Sequence, residues 1–178
     1  MVITFERVVS ARLSQAVVAE VHSLLWTAFA DEFSDEDFEN AFGGEHVLAR
    51  DGGELVAHAA VVPRELVVRG RSVRAGYVEA VATLPARHGE QLGSRVMRLL
   101  DTGIEEGYEL GALLTGRHSF YERLGWERWR GPSYVIEDGT WTRTADDDDG
   151  LMVLRFGSSA DVDLASPIAC HARPGDAW

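Results

Sequence analysis

The sequence predicts an α/β chain of the α+β kind, with a central mixed β-sheet flanked by helices. Three observations carry that expectation. Strand-like runs alternate with segments of helical spacing along most of the 178 residues, the pattern of helices laid on one sheet. Turn sequences at Asp51-Gly52-Gly53 and Gly70-Arg71 separate neighbouring β-rich runs, as hairpins require. Between residues 73 and 121 a strand-like run, VRAGYVEAVATLP, leads through ARHGEQLGS into a helix, a second strand and RHSFYERLGW.

Residues 3–9 read as the first strand. A helix follows over 14–30, because Val17, Val18, Val21, Leu24, Leu25 and Ala28 recur at helical spacing and Ser14 is placed to cap it. Residues 34–42 form a second, short helix: Ser34 caps it, Asp35, Glu36 and Asp37 favour its positive end, and Gly43-Gly44 stops it. Strands are expected over 46–50, 55–62, 65–69 and 72–83, with Pro85 ending the last.

Leu92, Val96, Leu99, Leu100 and Ile104 resume helical spacing up to Gly107, and 108–114 is a buried strand. Residues 118–124 are a short helix, followed by strands at 126–129, 134–136 and 151–156. The tail, 158–178, shows no strong periodicity, yet it closes on Arg-Pro-Gly-Asp-Ala-Trp. The expected organisation is a single domain over 1–178, with 158–178 as a C-terminal arm.

Composition narrows the function classes. A chain of this length buries a substantial core, and 46% of its residues are hydrophobic. The formal net charge of −12 repels nucleic acid and anionic membranes and attracts polycations. No apolar stretch approaches the roughly 18–20 residues of a spanning helix, and the N-terminus has no signal-like core. A soluble, cytoplasmic protein is expected. Cys170 is the single cysteine, so neither an intrachain disulfide nor a thiolate metal cluster is available. His22, His46, His58, His118 and His171 show no metal-ligand spacing, and no metal is expected. The four aspartates at 146–149 invite a calcium reading. It fails, because an EF-hand loop counted from Asp146 needs Glu at its twelfth position, where Gly157 stands.

The loop 87–94 opens a helix, and free amides at a helix N-terminus favour a phosphate. The loop and its strand resemble the GNAT superfamily of acetyl-CoA-dependent N-acetyltransferases. Its cofactor loop, Arg/Gln-x-x-Gly-x-Gly/Ala, aligns with His88, Gly89, Glu90, Gln91, Leu92 and Gly93, where His88 replaces Arg or Gln and Gln91 replaces the first Gly. A narrower likeness spans nearly the whole chain. TAFADEFSDEDFENAFGGEHVLA, ELVAHAAVV, AGYVEAVAT, GYELGALL, YERLGWERWRGPS, TRTADDDDG and RPGDAW occur in the order seen in aminoglycoside 2'-N-acetyltransferases.

The resemblance implies a GNAT acyl-CoA N-acyltransferase fold, acetyl-CoA as cosubstrate, a cationic aminoglycoside-like substrate and a homodimer. It also implies roles. Glu79 becomes the base that takes a proton from the amine through water; by strand alternation alone it is a solvent-facing residue on the same face as Tyr77. Val81, Ala82 and Thr83 become the backbone partners of the pantetheine arm, the Val81 amide facing the thioester carbonyl. Tyr121 becomes the acid for the leaving thiolate; by pattern alone it is one aromatic of a short amphipathic helix, packed with Phe120 and Leu124.

Glu32, Asp37, Glu79, Ala80, Asp147, Asp176 and Trp178 become the substrate wall, with the extra aspartate leaving the register at Asp147 open by one. Acidic surface runs are otherwise solvated faces. The stretch 114–120 is shorter than in the family and lacks its serine-rich segment, so Leu114 occupies the place of a substrate-binding serine and offers its backbone only. The function implied is acetyl transfer to the 2'-amine of an aminoglycoside in a ternary complex. Two alternatives stand beside it: a GNAT enzyme for another cationic amine, such as an atypical aminosugar antibiotic or a polyamine, and a non-catalytic drug- or acyl-CoA-binding module.

Overall fold

The structure, a computed structural model, describes residues 2–178. The chain is organised as two compact units, Met1–Val62 with Val78–Gly103, and Pro63–Tyr77 with Ile104–Trp178.

In the first unit, β1 (Ile3–Val9), β2 (Glu45–Asp51) and the start of β3 (Glu54–Val68) form antiparallel pairs, with a register shift in the β2–β3 pair between Ala49 and Arg50. Helix α1 (Gln15–Phe29) starts where expected: the Ser14 hydroxyl accepts the Val17 N–H at 3.3 Å. Its buried face, Val21, Leu24 and Leu25, packs with Leu48, Leu55 and Ala82, and each such large side chain stabilises the fold by about 1.5–3 kcal/mol. The half-buried Trp26 and Phe38 pack against that core, and His22 stacks on Trp26 at 3.7 Å. Helix α2 (Asp35–Asn40) carries a full capping box, with Asp37 Oδ2 accepting from the Ser34 N–H and the Ser34 hydroxyl accepting from the Asp37 N–H.

The second unit contains eight strand segments in the order β6-β9-β5-β4-β3-β10-β7-β8. They are β6 (Glu127–Arg128), β9 (Leu151–Arg155), β5 (Leu110–Leu114), the start of β4 (Arg71–Thr83), the end of β3, β10 (Ile168–His171), β7 (Ser133–Glu137) and β8 (Thr140–Arg143). The sheet is mixed: β4 runs parallel to β5, β10 runs parallel to β7 and antiparallel to β3, and β5 is antiparallel to β9. Helix α3 (Leu92–Gly107), whose residues up to Gly103 belong to the first unit, buries Val96, Met97, Leu100 and Ile104, and in the second unit α4 (His118–Glu122) follows β5.

Three features differ from the sequence expectation. β3 runs unbroken through Pro63. Its pairing with β2 stops at Val61 and its pairing with β10 starts at Leu66, so the missing proline N–H falls between two ladders. The hairpin after β3 turns on Arg69 and Gly70, at φ +54° and +77°, one residue before the expected turn. β8 and β10 are strands that the sequence does not predict. β8 is exposed throughout but is announced by Asp138-Gly139, both at positive φ, the dipeptide of a two-residue hairpin. β10 carries three consecutive fully buried residues, Ile168, Ala169 and Cys170, and a short strand buried on both faces has no alternation to read.

Candidate active site

Glu79 is half-buried on the part of β4 that belongs to the first unit. Strand alternation breaks immediately after it. Ala80 takes φ +51°, the left-handed region that costs an alanine about 1–2 kcal/mol. Such strain persists only where the surroundings hold it, and here the holder is visible: His58 Nδ1 donates to the Ala80 carbonyl at 2.8 Å. Beyond the kink, Ala82 enters the apolar core while Val81 and Thr83 stay half-buried.

The loop after β4 consists of a 3-10 turn, Pro85–Arg87, then Gly89 at φ +88° and Gln91 at φ +60°, before α3 begins at Leu92. The Arg95 N–H reaches the Gln91 carbonyl at 3.1 Å, so the amides of Leu92, Gly93 and Ser94 precede the first i−4 bond and face out of the helix end. That is the geometry of an anion site at a sixteen-residue helix. Arg87 grips Glu90 through two bonds of 2.7 Å and reaches Asp51 at 3.1 Å. Those bonds hold the Glu90 carboxyl below its ordinary range and offset a negative charge that would repel a phosphate. His88 Nε2 donates to the Thr83 carbonyl at 3.2 Å, tying the loop to the strand end.

Gln91, which stands at the first-glycine position of the resembled cofactor loop, takes a left-handed φ and adopts it with strain. Gln91→Gly is therefore expected to raise stability by a few tenths to about 1 kcal/mol, the relief of strain less the added freedom of the unfolded chain. Urea unfolding checks this, and a lower midpoint for the variant contradicts it.

In the second unit, Tyr121 is buried on α4, its ring edge-on to Phe120 at 4.9 Å and to Trp126 at 6.1 Å. The four aspartates form a 3-10 segment in which their duties separate. Asp148 is structural: it pairs with Arg143 and accepts from the Ser133 N–H at 2.9 Å and the Ser133 hydroxyl at 2.7 Å, which hold its carboxyl below the ordinary range. Asp147 lies the other way. Burial first, then the charges of Asp176, Asp146 and Asp148, push its carboxyl up against a Thr144 hydrogen bond. Concentrated negative charge of this kind favours an ammonium ligand.

Thr144 also joins Asp147 to the terminus, since the indole Nε1 of the buried Trp178 donates to its Oγ1 at 3.1 Å. Arg64 donates to the Ala177 carbonyl at 2.6 Å and to the His171 carbonyl at 2.9 Å, and Arg173 donates to the Asp176 carbonyl at 2.8 Å. The chain end is thus docked. Leu114 is 36% exposed and lies against Gly150, whose carbonyl accepts the Thr115 N–H at 2.8 Å. The second unit therefore gathers Asp147, Asp176 and Trp178, while Glu32 and Asp37 belong to the first. Glu32 is exposed at the end of a 3-10 turn, and Asp37 Oδ2 is engaged by Ser34.

Sequence reasoning missed two groups. Arg64 had no motif to mark it. His46 and His58 lacked metal-ligand spacing, yet both are fully buried, and two histidines in apolar strand runs are the signal that finds them. Among the described residues no cluster of three His, Cys, Asp or Glu is placed to hold a metal ion, and no helix is long and apolar enough to cross a membrane.

Residues 11–129 match the model of the acetyltransferase (GNAT) domain family. Over 156 residues the chain is 42% identical to an aminoglycoside 2'-N-acetyltransferase of Mycolicibacterium fortuitum, covering 85% of this chain and 80% of the relative. Among solved structures, a GNAT family N-acetyltransferase of Escherichia coli in complex with CoA superposes with a TM-score of 0.66 at 19% identity, covering 96% of this chain and 89% of the other. A GNAT family acetyltransferase of Brucella melitensis in complex with acetyl-CoA gives 0.63 at 18% identity, covering 89% and 90%.

Proposed function

The chain belongs to the GNAT acetyltransferase family, and from that premise we propose that it transfers the acetyl group of acetyl-CoA to the 2'-amine of an aminoglycoside, by direct attack in a ternary complex. The observation that carries the substrate class is the 42% identity over 85% of the chain. The gathered charge of Asp147 and Asp176 beside the docked Trp178 supports it, because a polycationic sugar relieves that repulsion.

Acetyl-CoA supplies the acetyl group as an activated thioester. The free amides of Leu92, Gly93 and Ser94, with open space around Gly89 in the same loop, suit its phosphates. His88, Glu90 and Gln91 shape that loop, and Val81, Ala82 and Thr83 present backbone to the pantetheine arm. Glu79 takes a proton from the sugar ammonium, directly or through one water, since only the neutral amine attacks. The Val81 N–H faces the acetyl oxygen, where charge develops. Tyr121 holds the proton required by the departing sulfur. Glu32, Asp37, Asp147, Asp176 and the Trp178 carboxylate orient the ammonium groups, with Ala80 and Leu114 contributing backbone.

The chain acts as one acetyltransferase domain with 158–178 as its substrate-side arm, in the cytoplasm and as a homodimer. Release of free CoA distinguishes this reading from the others. Tobramycin and gentamicin carry a 2'-amine and are expected to turn over, whereas kanamycin A, with a 2'-hydroxyl, is not. Equal turnover on all three points to another amine, and tight acetyl-CoA binding without CoA release on any amine points to the binding module.

A further inference from the structure

Behind β4 the first unit contains a buried line of hydrogen bonds that the reaction as described does not use. Ser10 Oγ lies 2.8 Å from His46 Nε2, His46 Nδ1 lies 2.9 Å from His58 Nε2, and His58 Nδ1 lies 2.8 Å from the carbonyl of Ala80. Both imidazoles are fully buried. Burial, and for His58 also the neighbouring His46, lowers their basicity to about 4 for His46 and about 3 for His58, so both are neutral at neutral pH.

Neutrality fixes every proton in the line. A carbonyl only accepts, so His58 carries its proton on Nδ1 and presents a lone pair at Nε2. That lone pair must meet a proton, which places the His46 proton on Nδ1 as well. His46 Nε2 is then an acceptor, and the Ser10 hydroxyl supplies its one hydrogen there at 2.8 Å rather than to the Gly44 carbonyl at 3.2 Å. The Gly44 carbonyl is meanwhile served by the Ser10 N–H at 2.9 Å, and the Gly43 N–H donates to Ser10 Oγ at 3.0 Å. Reversing either imidazole alone would set two lone pairs or two protons against each other at 2.9 Å. All donors therefore point one way, from the Gly43 amide to the Ala80 carbonyl.

The end of the line is the strained peptide. Ala80 stands at φ +51° between Glu79 and Val81. In a trans peptide the carbonyl of one residue and the N–H of the next point in opposite directions. Holding the Ala80 carbonyl toward His58 consequently turns the Val81 N–H away from the histidines. A hydrogen bond accepted at the carbonyl also polarises the amide and strengthens its N–H as a donor. We propose that His58, steered by His46 and Ser10, is a positioning residue for acetyl transfer that grips the Ala80 carbonyl and so aims and sharpens the Val81 N–H at the acetyl oxygen. This inference rests on the role given above to Val81.

The test combines spectroscopy on the free protein with kinetics. Long-range proton–nitrogen NMR of the uniformly nitrogen-labelled wild-type chain at pH 7 is expected to show both His46 and His58 neutral and protonated at Nδ1, the opposite of the tautomer favoured by free imidazole. In His58→Phe the Val81 amide proton moves upfield, and turnover falls roughly 10- to 100-fold, part of the loss expected for an oxyanion donor. Acetyl-CoA affinity, by calorimetry, stays within about 2-fold, because the α3 amides that suit its phosphates are untouched. His58→Asn, whose amide nitrogen falls near the place of Nδ1, recovers much of both signals.

An Nε2-protonated His58 or His46, or a His58→Phe enzyme within about 2-fold of wild-type turnover, where loss of an aimed donor should cost far more, overturns the proposal. If His58→Phe does not fold, the wild-type tautomers and the Val81 shift in His58→Asn decide. Should wild-type protein acetylate no aminoglycoside, the function proposed above falls, while the tautomers and the Val81 amide still decide the relay.

Discussion

Glu79→Gln is expected to lower turnover on an aminoglycoside by roughly a hundred- to ten-thousand-fold, the range for removing a general base from a proton transfer. Acetyl-CoA affinity is expected to stay within about 2-fold, because the α3 amides proposed to take its phosphates lie on a different element from Glu79. The change is close to isosteric and removes one charge from a half-buried position, so folding is retained. Stopped-flow or single-turnover kinetics with calorimetry for acetyl-CoA check both halves. Loss of cofactor affinity with turnover per bound complex preserved assigns Glu79 a structural duty instead.

The largest effect on stability is expected from acid. His46 and His58 are held at about 4 and about 3 in the folded chain, against an ordinary value near 6.5 when unfolded. Their folded values are depressed, so the unfolded chain binds protons first as pH falls. Stability is complete above about pH 6.5 and declines from there down through about 4 and about 3; the pair together accounts for a loss on the order of several kcal/mol. Asp148, held low by the Arg143 hydrogen bond, adds a loss that begins as pH falls through its ordinary 3.8 and overlaps the lower end of the histidine window. Urea unfolding at about pH 7.5, 6.5, 5.5 and 4.5 is expected to give a flat upper limb and a steep lower one. Imidazole resonances of His46 and His58 that titrate near pH 6.5 in the native protein, the ordinary value, contradict the assignment.

How much was legible depended on whether a residue's role is local. Ser14, Ser34 and the apolar face of α1 act within a few positions of themselves, and capping and spacing revealed them. The β4 strand and its loop were readable because a strand, a turn and a helix start leave signals in order. β10 was not, since three buried residues next to Pro167 look like any apolar tail until β3 and β7 are seen on either side. The division of labour among the aspartates was likewise hidden. Arg143 is five residues from Asp148, but Ser133, which completes its cage, sits on another strand. The His46–His58 line links β2, β3 and the kink at Ala80, and no sequence spacing encodes a chain of contacts that exists only after two strands pair. The kink itself lay in GYVEAV, whose alternation gives no warning that Ala80 turns left-handed.

Transfer to one particular nitrogen separates this enzyme from every other GNAT reading of the chain, and the product shows it most directly. Tobramycin is incubated with acetyl-CoA and the enzyme to completion, and the monoacetylated product is assigned by two-dimensional NMR. A single acetyl group on the 2'-nitrogen is expected, seen as a downfield displacement of the 2'-proton with the other amine-bearing positions unmoved. An acetyl group on any other nitrogen, or a mixture of positions, contradicts it.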